Sequence, residues 1–321
     1  MRIIQFLSLC AFVFSAALGG VSADTKKFTP EQVKLPGKKG ACFTLREKGS
    51  KQGGTVEENM PRVKALNPSW NYSWGMTLAN EQPQLVEFIP MTWSASNVES
   101  LQEKLNKDVI PNIKTGRIER LLAFNEPDHT DQANMTYIKA LELWPTLVKL
   151  GIPLCSPACA NAEGVNDDTV QGVNGTWMRD FMKEAGKRGY RVDYIGVHSY
   201  GGTDPKSFKT KLKRIYERYG KRPLLITEFA VADWNTGGDI KKNKHTPEAV
   251  LAFMKDVVPW MEKQDWIIGY SWFSFNIDSP QGTSSALFDL EYNLTTCGKF
   301  YRSVTPQNPK GDQSITIEKT K

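Results

Sequence analysis

Short apolar runs alternate along the chain with longer stretches in which apolar residues recur every three to four positions. Runs of strand character fall at residues 40–45, 69–75, 85–93, 120–126, 152–157, 192–200, 223–229 and 268–275. The stretches between them predict helices over 97–108, 135–150, 177–188, 205–219 and 247–264. In the first of these, Val98, Leu101 and Leu105 share one face. Strands alternating with helices imply a parallel sheet, and eight such strands close a single-domain (β/α)8 barrel of the α/β class. No Gly/Ser linker, repeat or low-complexity break interrupts residues 38–306, so one domain is expected there. Residues 24–37 read as a polar leader and 307–321 as a polar tail.

The first 23 residues have another character. Met1-Arg2 carries positive charge, Ile3 to Leu18 is mostly apolar, and Val21-Ser22-Ala23 forms a small-x-small cleavage site before Asp24. This is the pattern of a secretory signal, residues 1–23, and it is too short for a membrane anchor. A secreted, extracellular, soluble protein is expected, without membrane partners. The formal charge of +6 becomes +5 without Arg2. Lysines are spread over the chain with no basic stripe interleaved with aromatics, which argues against nucleic acid as a partner. Cys42, Cys155, Cys159 and Cys297 follow the signal, so one or two disulfides are plausible in an oxidising compartment. Three histidines and no second Cys pair at zinc spacing give no metal-site pattern. No metal or cofactor is expected, and a monomer is.

Two of the strands end on glutamates. Leu121-Leu122-Ala123-Phe124 runs into Asn125-Glu126-Pro127-Asp128, and Leu224-Leu225-Ile226 runs into Thr227-Glu228-Phe229. Counted along the barrel, Glu126 closes strand four and Glu228 strand seven, at the face where barrel enzymes place their chemistry. Glycoside hydrolysis needs two carboxyl groups across one bond, one a proton donor of raised pKa and the other a carboxylate. Either glutamate alone could be a loop carboxylate or the partner of an arginine; the pair is more specific. Glu126, between Phe124 and Pro127, is expected to be desolvated and raised, as suits a general acid. Asn125 offers an amide to a sugar hydroxyl beside it. His198 and Tyr200 share one side of strand six and are expected to orient Glu228.

Aromatic residues add a third signal. Trp70, Tyr72 and Trp74 alternate along strand two, Trp93 ends strand three, Trp234 follows strand seven, and Trp272 lies in strand eight. Flat indole faces suit the C–H faces of pyranose rings. Substrate-binding candidates are therefore Asn71, Trp74, Trp93, Trp234 and Trp272, whereas Trp260 and Trp266 read as packing. Asn71, Asn134, Asn174 and Asn293 begin glycosylation sequons.

In order and spacing these segments resemble glycoside hydrolase family 128, a clan-A group of barrel enzymes. The resemblance runs through Ser69 to Gly75, Glu87 to Trp93, Leu122 to Asp128, Ser156-Pro157-Ala158, Val192 to Gly201, Leu225 to Ala230, Tyr270 to Phe273 and Ser285 to Asp289. One departure is Ser73, where the family usually has asparagine. The resemblance implies a retaining endo-β-1,3-glucanase acting by double displacement on laminarin-type glucan, polysaccharide or oligosaccharide, with Glu126 as acid/base and Glu228 as nucleophile. The alternatives are hydrolysis of another linkage (β-1,6 or β-1,4) and a non-catalytic glucan-binding protein on the same barrel.

Overall fold

The computed structural model describes residues 27–163 and 176–305. One parallel sheet holds β1 (Lys39–Cys42), β2 (Trp70–Tyr72), β3 (Glu87–Phe88), β4 (Ile195–Gly201), β5 (Leu224–Val231) and β6 (Ile267–Trp272), in the order β3-β2-β1-β6-β5-β4. Between the two edge strands stand extended segments 120–126 and 153–159. Parallel bridges Met91–Leu122, Leu121–Leu154 and Cys155–Tyr194 join them to each other and to both edges. Eight staves therefore follow one another around the ring in the order expected. Staves four and five pair through single bridges because Pro90, Pro153 and Pro157 cannot donate to a ladder. Pro90 and Pro153 still accept, from Leu122 at 2.9 Å and Leu121 at 3.1 Å.

Helices α1 (Pro30–Val33), α2 (Val56–Ala65), α3 (Val98–Lys104), α4 (Ile110–Lys114), α5 (Tyr137–Val148), α6 (Trp177–Lys187), α7 (Pro205–Arg218), α8 (Pro247–Glu262) and α9 (Thr296–Ser303) complete the fold. A π-helical turn at Leu105–Val109 joins α3 to α4. Helices α1, α2, α4 and α9 lay outside the sequence reading. Of these, α2 carries a legible start: Thr55 and Glu58 form a capping box.

Two apolar cores result. The larger lies between staves and helices, from Val63 and Leu101 to Phe253 and Val257. The smaller fills the barrel lumen with Cys42, Trp70, Tyr72, Ile89, Met91, Leu122, Cys155, Tyr194, Leu225 and Ile268. Trp70 forms much of the floor. A Cβ at Gly40 would stand 2.3 Å from its indole, so glycine is what lets β1 pass so close.

The segment read as a polar leader is corrected here over its described part. Val33 and Leu35, 5% and 7% exposed, plug the lumen from below. Buried Arg120 pairs with Glu87 and donates from Nη1 to the Val33 carbonyl at 2.9 Å. Polar composition hid this because only two buried apolar side chains, Val33 and Leu35, join the segment to the lumen cluster.

Lys38 and Lys39 enter β1 with their ammonium groups pointing to helix ends. Lys38 Nζ donates to the carbonyls of Met261, Glu262 and Gln264 at the end of α8. Lys39 Nζ donates to those of Tyr301, Arg302 and Val304 at the end of α9. Each lysine satisfies acceptors that a helix C-terminus leaves open and complements its dipole.

The disulfide expectation is also corrected: Cys42, Cys155, Cys159 and Cys297 are all free and buried. Cys155 and Cys159 stand four residues apart on an extended stave, about 13 Å at the usual rise per residue. A disulfide needs Cα atoms within about 7 Å. The signal segment 1–23, the tail 307–321 and the Asn174 sequon lie outside the described residues. No helix among the described residues is long and apolar enough to cross a membrane. Of the other sequons, Asn71 is fully buried, whereas Asn134 and Asn293 are exposed.

Candidate active site

The carboxyl ends of the staves open onto a cleft of about 1650 Å³, walled by residues 44–48 after β1, residues 73–81 after β2, and Trp234, Phe273 and Phe275. Glu126 and Glu228 both line it. Glu126 turns into it because the chain leaves stave four in an uncommon conformation, with φ of +39° at a non-glycine residue. Its N–H donates to the Ala158 carbonyl at 2.8 Å and its carbonyl accepts from His129 N–H at 3.0 Å, which hold the turn. Asp128 supports the turn from beneath, accepting from the backbone N–H groups of Ala160 and Asn161.

Glu228 owes its aim to an irregularity in β5. Val197 pairs with Ile226, but the next residue, His198, pairs with Glu228 rather than Thr227. This bulge brings the histidine and the glutamate side by side. Glu228 is 5% exposed and accepts three hydrogen bonds. Trp74 Nε1 donates to Oε1 at 2.7 Å, the Tyr72 hydroxyl to Oε1 at 3.0 Å, and the Tyr200 hydroxyl to Oε2 at 2.5 Å. Burial, with the Glu228 charge beside them, pushes both phenols well above their ordinary values, so they remain donors. A carboxylate held by three donors is fixed in orientation.

His198, whose side chain is fully buried, stands between the two glutamates. Its Nδ1 is 2.7 Å from Oε1 of Glu126, and its Nε2 is 3.3 Å from Oε1 of Glu228 without hydrogen-bond alignment. Histidine therefore engages Glu126, while Tyr200, Tyr72 and Trp74 orient Glu228. The expectation of a raised Glu126 carboxyl is corrected as well. Burial pushes it up, but the hydrogen bond and charge of His198, with His129 behind, outweigh burial and hold it below the usual range. Burial likewise works against the His198 cation, yet Glu228, Glu126 and Asp128 together raise it above its ordinary value.

One carboxylate oxygen from each glutamate and a ring nitrogen of His198 lie within 4.8 Å of one another. These are metal-ligand donor types, but here they are engaged with each other and with Trp74, Tyr72 and Tyr200. The spacing matches the short separation, about 5–5.5 Å between carboxyl groups, of retaining glycosidases.

The other expected site residues divide. Asn125, Trp74, Trp93, Tyr200 and Trp234 line the cleft. Asn125 Nδ2 donates to Gln132 Oε1 at 3.2 Å, and its buried Oδ1 has no hydrogen-bond partner. Asn71 and Trp272 stand elsewhere. Asn71 is fully buried and accepts from Gln82 at 2.7 Å. Trp272 packs on Phe229 and donates to the Ser285 carbonyl at 2.8 Å. Strand alternation turns both away from the mouth. Trp260 and Trp266 pack edge-on against each other, as expected.

Sequence reasoning missed Tyr72, Phe273 and Phe275 as site residues. Tyr72 was recognisable as the neighbour of Trp74 in the alternating run. The two phenylalanines, with Tyr200 and Trp234, form a wall of edge-to-face rings with centroids 4.9–6.2 Å apart. Trp234 ends it, 61% exposed.

A parallel barrel whose staves four and seven present two closely spaced carboxylates in an aromatic-walled cleft has the arrangement of a glycoside-hydrolysing enzyme. The comparisons agree: residues 49–301 match the family described as Glycosyl hydrolase catalytic core, and the chain belongs to it. Among solved structures, it is similar to a family 128, subgroup I endo-β-1,3-glucanase mutant from Amycolatopsis mediterranei in complex with laminaripentaose. The two share 26% identity over 83% of this chain and 98% of that one, with a TM-score of 0.64. A subgroup V exo-β-1,3-glucanase from Cryptococcus neoformans shares the fold at 23% identity, covering 83% and 98% of the two chains, with a TM-score of 0.61. No curated protein matches the sequence.

Proposed function

We propose that this protein is a secreted, retaining endo-β-1,3-glucanase. The observation that carries the reading is the pair Glu126 and Glu228, with carboxylate oxygens within 4.8 Å and Glu228 held by three donors. Glu228 attacks the anomeric carbon as Glu126 protonates the departing oxygen. Water activated by Glu126 then releases the sugar from the Glu228 ester, and two inversions leave the configuration retained.

The β-1,3 linkage rests on similarity to the Amycolatopsis enzyme, whose complexes hold laminari-oligosaccharides. Internal cleavage is supported by a cleft of 1650 Å³, larger than the roughly 300–1,000 Å³ of small-molecule pockets, which leaves room for several sugar units. Secretion rests on the amino-terminal pattern. Edman sequencing of protein recovered from culture medium should begin at Asp24, and an intact Met1 would overturn it.

Product analysis on laminari-oligosaccharides of defined length, with the first-formed anomer followed by NMR, tests linkage, stereochemistry and cleavage mode together. Internal products of β configuration are expected. Release of the α anomer would overturn retention, and glucose alone from chain ends would overturn endo action. Turnover of pustulan or cellulose in preference to laminarin would favour the other linkages. Glucan binding without turnover would favour a binding protein, against which stands the presence of both carboxylates.

A further inference from the structure

The proposed mechanism asks Glu126 to begin each cycle protonated, yet its neighbour holds its carboxyl low. His198 resolves this. We propose that His198 stores the catalytic proton in the resting enzyme, and that Glu126 receives it across their shared hydrogen bond when substrate fills the cleft. The proposal rests on the glucanase reading above and adds to it a role for a residue that need not touch the sugar.

The geometry is specific. Nδ1 of His198 meets Oε1 of Glu126 at 2.7 Å, a distance for direct proton transfer, and the imidazole is shut off from solvent. The groups facing it come from several elements. Glu126 and Asp128 face it from the end of stave four, with His129 beyond Glu126. Glu228 faces it from β5, itself held by Tyr72 and Trp74 from β2 and by Tyr200 from β4. Lys211 of α7 reaches only its main-chain oxygen, at 3.4 Å. Carboxylates thus dominate its surroundings and favour the imidazolium.

Substrate changes that balance. A sugar over the cleft removes water from an ion pair, and loss of solvent favours the neutral form of both partners. The Nδ1–H bond breaks and an O–H bond forms at Oε1 of Glu126, leaving a neutral imidazole beside a carboxylic acid. Rotation about the Cγ–Cδ bond presents this proton to the glycosidic oxygen. The C1–O bond then breaks, the leaving oxygen takes the proton, and a lone pair of Glu228 makes the ester bond to C1. In the second half, water gives its proton to Glu126 and its oxygen to C1, and the ester bond returns its electron pair to Glu228. The proton on Glu126 passes back to Nδ1 once Glu228 is again an anion.

His198→Asn tests this, because the amide can keep a donor near Nδ1 yet cannot titrate. Laminarin and a dinitrophenyl β-laminaribioside serve as substrates; the second has a leaving group that needs no proton. On laminarin, kcat/KM should fall by about 10²-fold or more, the scale of a lost proton donor. On the aryl glycoside it should stay within about threefold of wild type. The alkaline limb of the laminarin profile should move to lower pH, from the histidine toward the carboxyl range. Equal losses on both substrates, or an unmoved alkaline limb, would overturn the proposal. Should His198→Asn fail to fold by thermal melting, His198→Gln carries the same comparison. A wild-type enzyme inactive on both substrates would instead overturn the glucanase reading itself.

Discussion

The indole nitrogen of Trp74 donates to Oε1 of Glu228 at 2.7 Å, so a residue expected to be a sugar platform also grips the proposed nucleophile. Trp74 reaches it from a backbone with φ of +58°, a conformation a bulky residue seldom adopts. Two of the cleft's key residues, Trp74 after stave two and Glu126 at the end of stave four, thus sit in uncommon backbone geometry.

Trp74→Phe keeps an aromatic face and removes the donor. A hydrogen bond to a charged group contributes about 1.5–3 kcal/mol, so kcat should fall roughly 10- to 100-fold with KM little changed. A rise in KM alone in steady-state kinetics would return Trp74 to the role of platform only.

Glu228→Ala should lower turnover by about 10⁴-fold or more, as loss of a nucleophile does elsewhere, with an unchanged melting curve. Azide entering the space vacated by the carboxylate should restore cleavage of an activated aryl glycoside and give an α-glycosyl azide. Wild-type-like hydrolysis by this variant would sink the assignment.

The Glu126–His198 pair should leave a signature in stability. The lowered Glu126 carboxyl contributes stability that is complete above about pH 4.3 and lost as pH falls through its lowered value. The raised His198 contributes stability complete below about pH 6.5 and lost as pH rises through its raised value. The melting-temperature difference between wild type and Glu126→Gln should therefore be largest between about pH 4.3 and 6.5 and shrink on both sides. A difference that stays constant up to pH 9 would show that no ion pair forms.

Lys39→Met keeps the stem and removes three donors from the end of α9. Loss of about 2–3 kcal/mol is expected, the cost of leaving buried acceptors unpaired, read as a lower urea midpoint with unchanged slope. The exposed Lys221→Met serves as control. Equal midpoints for the two variants would refute the capping role.

Much of this arrangement is legible in the sequence. Periodicity distinguished the staves from most of the helices around them, because side chains alternate along a strand and recur every 3.6 residues along a helix. The two glutamates needed no structure to be recognised, since an apolar run reaching a carboxylate is visible in one dimension, although β5 continues past Glu228 to Val231.

Pairing was another matter. Alternation put His198 and Tyr200 on one side but could not say which glutamate each would meet. The bulge at Thr227 sets the His198 backbone beside Glu228, pairing residues 29 or 30 positions apart, yet the imidazole hydrogen-bonds Glu126 and leaves Tyr200 to hold Glu228. Asn71 and Trp272 looked like subsite residues until burial placed them behind the barrel wall. The chain alone determined which residues carry charge, aromatic area and strand character. Only tertiary packing decided which atoms meet, because hydrogen bonds and pKa shifts depend on distances of a few ångströms between segments far apart in sequence.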